Sequence, residues 1–480
     1  MINALYGHST KALFSTKAQI WLISSLVGLL ALVFYIVLLP PDITWISVGS
    51  DASDYMIAAK YLRIAHPTGE PLFIMAGAVW MRIIPFGSEW FRFALMSAVF
   101  SAATAGVLYY ATRNLIAPLI YVTSAVVISQ STIIELYSMV TFFIVMGWYL
   151  HSQGHRGWGY AVMGLGIAVH HLAGFVFLGL VAQDLMRRES IKPAIMAIVA
   201  GAPWYLYILL ANREPYMSIG GNGLMDYVRY FSNQSFLWGG MALVEPSDNF
   251  LGRALAHDAR LRLWDVARIV LALGPVLLIL IPAMREKIKA KDTLLPFMAI
   301  LITVYYATNL DCRVYTYMIV PIAFAAIIVG NYAHKIGRWP RIVTHAFLVA
   351  LLAWGLFSFS TIDQSRSAEA FRQELATIPE DATIWSYNRG WEQMTAQLYN
   401  YDHGTHFNTV NLRNEMSPAP EMQERLQSAE DAGKLYRTRI IKSEEYLVTL
   451  EHVTAAEVMR EIPMIDLTQR DEYSEYLEGK

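Results

Sequence analysis

Long apolar runs dominate the first three quarters of this 480-residue chain and limit its fold more than any other feature. The first run extends from Ile20 to Leu39, and about ten more follow it. A run of roughly 18 or more apolar residues can cross a bilayer as a helix. The chain is only 16% charged, whereas a soluble domain is about a quarter charged. The sequence therefore predicts an all-α polytopic membrane domain.

Hydropathy and length together predict about eleven spans. They lie at residues 20–39, 90–112, 115–130, 137–151, 157–169, 172–186, 193–211, 267–284, 294–309, 314–332 and 342–359. Lys and Arg cluster on one side of these spans, for example at 187–192 and 285–291, which identifies that side as cytoplasmic. We therefore expect a cell-membrane protein with residues 1–19 inside and its C-terminal domain outside.

The charge distribution divides the chain in two. From Thr361 onward there are 22 acidic and 12 basic residues, whereas the preceding part holds 17 and 25. This predicts a membrane domain at 20–360 and an acidic soluble domain at 361–480, where alternating helix and strand patterns indicate a small α/β fold. The membrane domain carries a juxtamembrane first outer loop at 40–89 and a second outer loop at 212–266. The single cysteine excludes an internal disulfide framework.

The first outer loop contains the stretch GSDASDYMIAAKYLRIAHPTGEP. Its apolar residues recur at intervals of three and four, which predicts an amphipathic helix on the membrane surface ending near His66. Asp51 and Asp54 would share one face of that helix. They either cap the helix or serve chemistry, since ionisable groups at membrane depth are costly and usually functional.

Two further features of this loop carry basic residues. Lys60 and Arg63 are expected to face lipid headgroups. Leu72–Ile84 lies between two prolines and carries Arg82, so we expect a helix along the membrane surface rather than a span.

Other ionisable residues fall at the same outer face, in short turns between spans. They are Glu135, His170, His171 and Arg313, with Arg92 at the start of the second span. A carboxylate can accept the proton of an attacking hydroxyl, and a guanidinium matches the oxygens of a phosphate. Adjacent histidines point in different directions on a helix, so they make a poor metal site. We assign no metal ligand, and a divalent cation is left open.

Four segments in this order resemble the polytopic GT-C glycosyltransferases, in particular the protein O-mannosyltransferase-like branch. They are SDASDYMIAAKYLRIAHPTGEPLF, PFGSEWFRFALMSAVF, ISQSTIIELYSM and GLGIAVHHLAGF. The resemblance covers about residues 20–190. This sequence departs from the family pattern at Glu70, where relatives often have an aromatic residue, and at SDASD, where they often have Asp-Ser-Gly-Glu.

The resemblance implies an inverting transfer of a sugar, mannose, from a polyprenyl-phosphate donor to a hydroxyl of a protein or glycan at the extracytoplasmic face. Asp51 matches the family's first-loop aspartate and would be the general base, with Asp54 or Glu135 as its acidic partner. Contacts to the donor phosphate or substrate are expected from Arg313, His171, His66, Arg92, His170 and Tyr137. Membrane lipids are further partners, and no nucleic acid is expected.

Two other functions stay open on the sequence. A transporter or lipid flippase would place charges inside its spans and show an internal repeat, whereas here most charges lie at outer turns and no repeat is evident. A binding protein that kept this fold without its chemistry would have the same sequence pattern.

Overall fold

A computed structural model describes residues 16–42, 49–65, 70–210, 317–332, 366–386, 391–411, 420–441 and 447–461, together with positions 346, 349, 350 and 353. Internal contacts divide the chain into two compact units. The first comprises 1–39, 62–85 and 92–361, and the second comprises 40–61, 86–91 and 362–480. This division differs from the sequence-based one, because it groups much of the first loop with the C-terminal residues.

In its described residues, the regular elements of the first unit are helices. Helices are numbered along the whole chain, and α2, Gly49–Tyr61, belongs to the second unit. The others are α1 (Thr16–Leu38), α3 (Pro71–Ile83), α4 (Glu89–Thr112, whose first three residues belong to the second unit), α5 (Ile116–Thr123), α6 (Ala125–Ser131), α7 (Tyr137–Ser152), α8 (Arg156–Val169), α9 (Leu172–Met186), α10 (Ile195–Gly201), α11 (Leu206–Leu210) and α12 (Ile319–Tyr332). Short 3₁₀ turns at Lys192–Ala194 and Ala202–Tyr205 flank α10.

Two helices in the described part of the chain are long and apolar enough to cross a membrane, Lys17–Leu38 and Glu89–Thr112. Helix α1 exposes large apolar side chains along its length, with Leu30 61% and Val37 77% exposed. Apolar surface of this extent is not left in water and is typical of a lipid-facing helix.

Several predicted spans differ in detail. The segment 115–130 is broken at Ser124, where the backbone is extended between α5 and α6. The segment 193–211 contains two short helices and two 3₁₀ turns rather than one helix. The predicted spans 267–284 and 294–309, and most of 342–359, lie outside the described residues.

Helix α3 forms where the sequence predicted it, between its two prolines. One face is buried, including Phe73, which stacks on Phe93 of α4 at 5.1 Å between ring centroids. The opposite face exposes Val79 and Ile83. Helix α3 also contacts α8, so it is part of the helical packing of this unit rather than an isolated surface helix.

Glycine allows α8 to approach its neighbours closely. A Cβ on Gly159 would lie 2.8 Å from the carbonyl oxygen of Gly147 in α7, and one on Gly164 would lie 2.1 Å from that of Ala197 in α10. Both distances are far below van der Waals contact, and the atoms met are backbone. Small residues of this kind let helices pack at short distance in membranes.

A buried carboxylate ties α7, α8 and α9 together at one end. Asp184 of α9 is fully buried and accepts hydrogen bonds from Arg156 (Nε, 3.1 Å) and Tyr160 (OH, 2.6 Å), both in α8. The ring of His151 in α7 lies 3.1 Å from its other oxygen. A charge removed from water needs such partners, because losing one of them typically costs about 3–5 kcal/mol.

The second unit contains a four-stranded sheet of order β2-β1-β3-β4. Its elements after α12 are α13 (Arg366–Leu375), β1 (Thr383–Ser386), α14 (Trp391–His403), β2 (Asn408–Asn411), α15 (Pro420–Asp431), β3 (Leu435–Ile441), β4 (Leu447–His452) and α16 (Ala455–Glu461). Strand β1 pairs in parallel with β2 and β3, and β4 pairs antiparallel with β3. Trp385, Leu426 and Leu435 form the centre of its core with residues of α16.

The glycine contacts of α8 generate the first prediction. Gly164→Ala should destabilise the protein by about 1–3 kcal/mol, because the carbonyl of Ala197 cannot move away without shifting α10. Gly157→Ala in the same helix is the matched control, since its Cβ would meet only Met196 at 3.9 Å. Thermal unfolding of the full chain in detergent gives the unfolding midpoint of each variant. Equal midpoints for the two variants would contradict the close approach of α8 and α10.

Candidate functional site

Helix α2 carries two of the three predicted catalytic acids and is buried almost all round. Every residue from Ala52 to Ala59 is at most 2% exposed. Helix α14 of the same unit packs against it. The expectation of an amphipathic helix on the membrane surface is therefore wrong, because such a helix would leave one side exposed. The helix also ends earlier than predicted, at Tyr61, where Leu62 adopts a left-handed backbone with φ 52°.

Asp51 and Asp54 occupy the first two turns of α2. Asp51 is the third residue of the helix and Asp54 the sixth. The Asp54 side chain is 1% exposed. Burying a carboxylate is costly, and the burial of Asp54 excludes a solvated position at the helix surface.

Polar contacts hold the last turn of α2. Asp402 of α14 accepts hydrogen bonds from Lys60 (Nζ, 2.8 Å) and from Tyr61 (OH, 2.6 Å). Lys60 Nζ also lies 2.6 Å from Glu89 Oε2, at the first residue of α4. Burial lowers the pKa of Lys60, but the bonds and charges of Asp402 and Glu89 outweigh it, so the pKa is raised and the ammonium stays charged.

The basic residues of this loop are therefore not headgroup ligands as expected. Lys60 is paired with two carboxylates of its own unit. Arg63 is only 8% exposed, and its carbonyl accepts a 2.6 Å hydrogen bond from the hydroxyl of Tyr207 in α11.

In the first unit, Glu135 lies in the short loop between α6 and α7 and is 1% exposed. The hydroxyl of Ser97 in α4 donates to the Glu135 carbonyl at 2.9 Å and accepts from its N–H at 3.4 Å. The Ser138 hydroxyl closes the loop by donating to the Gln130 carbonyl at 3.0 Å. These bonds fix the backbone that presents the Glu135 carboxylate.

Aromatic rings gather directly after this loop. The ring of Tyr137 meets those of His170 and Tyr317 edge to face, at centroid distances of 5.7 and 5.4 Å. The ring centroids of His170 and His171 are 4.0 Å apart, and both residues lie between the end of α8 and the start of α9. The backbone N–H of Leu172 donates to His170 Nδ1 at 3.2 Å, so the neutral ring carries its proton on Nε2. The predicted residues Tyr137, His170 and His171 are thus neighbours.

The remaining predicted residues are placed apart or not described. Arg92 donates to the carbonyls of Met81 (2.6 Å) and Ile84 (3.3 Å), at the end of α3. His66 and Arg313 lie outside the described residues. Within the described part of the chain, no three His, Cys, Asp or Glu residues are grouped as metal ligands.

Three residues of these clusters were missed by sequence reasoning. Ser97 is one of several hydroxyls within the mainly apolar span 90–112, and Tyr317 belongs to the YTYM segment after Arg313. Both could have been noticed as polar groups in apolar surroundings. Asp402 lies 342 residues from Lys60 and belongs to an ordinary acidic helix, so nothing local distinguishes it.

Comparison with known proteins bears on the segment that carries these residues. A family model described as the Protein O-mannosyl-transferase TMEM260 N-terminal domain matches residues 51–140. The mouse Protein O-mannosyl-transferase TMEM260 is 26% identical over 211 residues, which is 40% of this chain and 29% of the mouse protein. The predicted resemblance to the protein O-mannosyltransferase-like branch is confirmed. The match spans less than a third of the mouse relative.

Solved structures extend the comparison to most of the chain. ArnT from Cupriavidus metallidurans bound to undecaprenyl phosphate aligns with a TM-score of 0.51 at 12% identity, covering 89% of this chain and 97% of that one. The apo structure of ArnT aligns with a TM-score of 0.52 at 13% identity, covering 86% and 92%. At these identities the likeness concerns the fold, which is that of a helical, polytopic membrane protein.

The Glu135 loop generates the second prediction. Ser97→Ala should destabilise the protein by about 1–3 kcal/mol, because it removes the hydroxyl that bonds the buried carbonyl of Glu135. Hydrogen exchange in a peptide covering 132–136 should become faster. Thr123→Val is the matched control, since its hydroxyl donates to a carbonyl of its own helix, that of Leu119 in α5, at 2.7 Å. Unchanged exchange in Ser97→Ala would show that the loop is held by other means.

Proposed function

We propose that this chain is a membrane glycosyltransferase that moves a sugar, mannose, from a polyprenyl-phosphate donor to a hydroxyl of a protein or glycan at the extracytoplasmic face. The observation that carries the proposal is the match of residues 51–140 to the TMEM260 N-terminal domain, a segment that contains Asp51, Asp54 and Glu135. The fold likeness to ArnT, solved with undecaprenyl phosphate bound, supports a polyprenyl-phosphate donor.

In the proposed reaction the acceptor hydroxyl attacks the anomeric carbon of the sugar. A new bond forms between the acceptor oxygen and that carbon, the bond to the phosphate oxygen breaks, and polyprenyl phosphate leaves from the opposite side with inversion. The hydroxyl proton passes to a carboxylate, for which we assign Asp51. A positioned general base of this kind typically accelerates transfer by about 10²–10⁴-fold.

Asp54 and Glu135 are assigned as acidic partners of the reaction. What supports this is their burial, 1% exposure each, in elements otherwise built of apolar and small residues. A buried carboxylate can orient a base, share its proton or bind sugar hydroxyls, and in each role it gains a hydrogen-bonding partner in place of water.

The departing phosphate needs positive or hydrogen-bonding groups. We assign Arg313 and His171 to it, with Tyr137, His170 and His66 contacting the rest of the donor. The clustering of Tyr137, His170 and His171 next to the Glu135 loop supports this assignment. Arg92 is given no phosphate role, because its guanidinium bonds the carbonyls at the end of α3. A divalent cation stays unassigned.

The third prediction concerns the carboxylates. In an assay with radiolabelled polyprenyl-phosphate mannose, Asp51→Asn should lower release of polyprenyl phosphate about 10²–10⁴-fold while donor binding persists. Asp54→Asn and Glu135→Gln should also lose activity. Asp381→Asn is the matched control, because that carboxylate is 57% exposed and bonds Lys434 in the C-terminal part.

Other outcomes would redirect the proposal. Full activity in Asp51→Asn, with activity lost in Asp54→Asn, would move the base to Asp54. Donor binding without turnover across several hydroxyl acceptors would favour a binding protein. Movement of intact lipid-linked sugar between leaflets of a vesicle, without release, would favour a flippase.

A further inference from the structure

We propose that the C-terminal domain holds helix α2 in place and that Asp402 is the positioning residue that fastens it. The catalytic consequence of this role rests on the proposed function, since α2 carries Asp51 and Asp54. The physical role does not depend on it. The two parts belong to one compact unit although they are more than 300 residues apart in sequence.

Asp402 acts on the last turn of α2 through two neighbouring side chains. One of its oxygens, Oδ1, accepts a hydrogen bond from Lys60 Nζ at 2.8 Å and another from the Tyr61 hydroxyl at 2.6 Å. Hydrogen bonds to a charged group are stronger than those between neutral groups. The side chains of Lys60 and Asp402 are 27% and 21% exposed, so both are partly covered.

A second tie lies before the helix begins. Arg372 of α13 is 3.8 Å from the carboxylate of Asp42, seven residues ahead of Gly49. The hydroxyl of Ser88 donates to the Pro41 carbonyl at 2.7 Å, which adds a link to the chain entering α4. Polar contacts therefore flank α2 on both sides in the sequence.

Packing completes the attachment. Helix α2 contacts α14, whose residues Thr395, Ala396 and Leu398 are at most 8% exposed. Apolar packing alone is not directional, whereas the two bonds to Asp402 fix one end of the helix along its axis. Lys60 also bonds Glu89, so the same side chain links α14, α2 and the start of α4.

A helix moves as a rigid rod, which explains how Asp402 can influence chemistry at Asp51. Ten residues separate Asp51 from Tyr61, about 15 Å along the helix axis. A shift of the last turn is transmitted to the first turn. Misplacement of a reacting group by about 1 Å can cost about 10²-fold in rate. Asp402 is thus a positioning residue that contacts no substrate.

The experiment uses the full chain in detergent and measures hydrogen exchange in peptides covering 49–61, together with turnover of polyprenyl-phosphate mannose. Asp402→Asn and Tyr61→Phe should each speed exchange in α2 by about fivefold or more, because each weakens a bond to a charged group. In Asp402→Asn, kcat should fall about tenfold with KM for the donor nearly unchanged, since orientation rather than binding is lost. Asp402→Glu keeps the carboxylate and should recover most of both.

Asp381→Asn is the matched control, because it removes another ion pair of the C-terminal domain, that with Lys434. It should leave exchange in α2 and turnover unchanged. Unchanged exchange in α2 for both Asp402→Asn and Tyr61→Phe would overturn the proposal. So would a loss of kcat that Asp402→Glu does not restore at all. If wild type shows no turnover, exchange still tests the fastening of α2, and only the proposed function fails.

Discussion

The close packing of α7 against α8 is the contact on which the arrangement of the first unit depends. Gly147 and Gly159 face each other with no room for a side chain. Because the two helices run antiparallel through a short turn, the start of α7 must lie beside the end of α8. This brings Tyr137 next to His170. At the other end of the hairpin, Asp184 ties both helices to α9, so the pair cannot splay or slide.

We assign two different purposes to the buried carboxylates of this protein. Asp184 is surrounded by an arginine, a tyrosine and a histidine from neighbouring helices, and this explains it as a structural residue. Asp54 and Glu135 lie within the segment that resembles TMEM260, and we assign them to chemistry. The distinction rests on context, since each of the three carboxylates is at most 1% exposed.

Prediction from sequence succeeded where local pattern decides the outcome. In the C-terminal part, the local pattern of residues predicts a helix at 455–461 and a strand at 382–387. Helix α16 has those bounds, and β1 falls within the predicted strand. The same sequence pattern did not predict α15 or β3. The first is a highly polar helix, PEMQERLQSAED, without a marked apolar stripe, and the second, LYRTRII, alternates with basic residues. Both gain their stability from partners elsewhere in the sheet domain, such as Trp385 in the shared core.

The sequence by itself determined the membrane class and the resemblance to O-mannosyltransferases, and it singled out Asp54 and Glu135 but not Asp184 among the buried acids, because hydropathy and short motifs are local properties. Only the tertiary structure decided the surroundings of α2. Its pattern predicted one exposed side, yet both sides are buried. One of the elements that pack against it, α14 with Asp402, comes from the far end of the chain, and no local pattern records which distant surface will cover a helix.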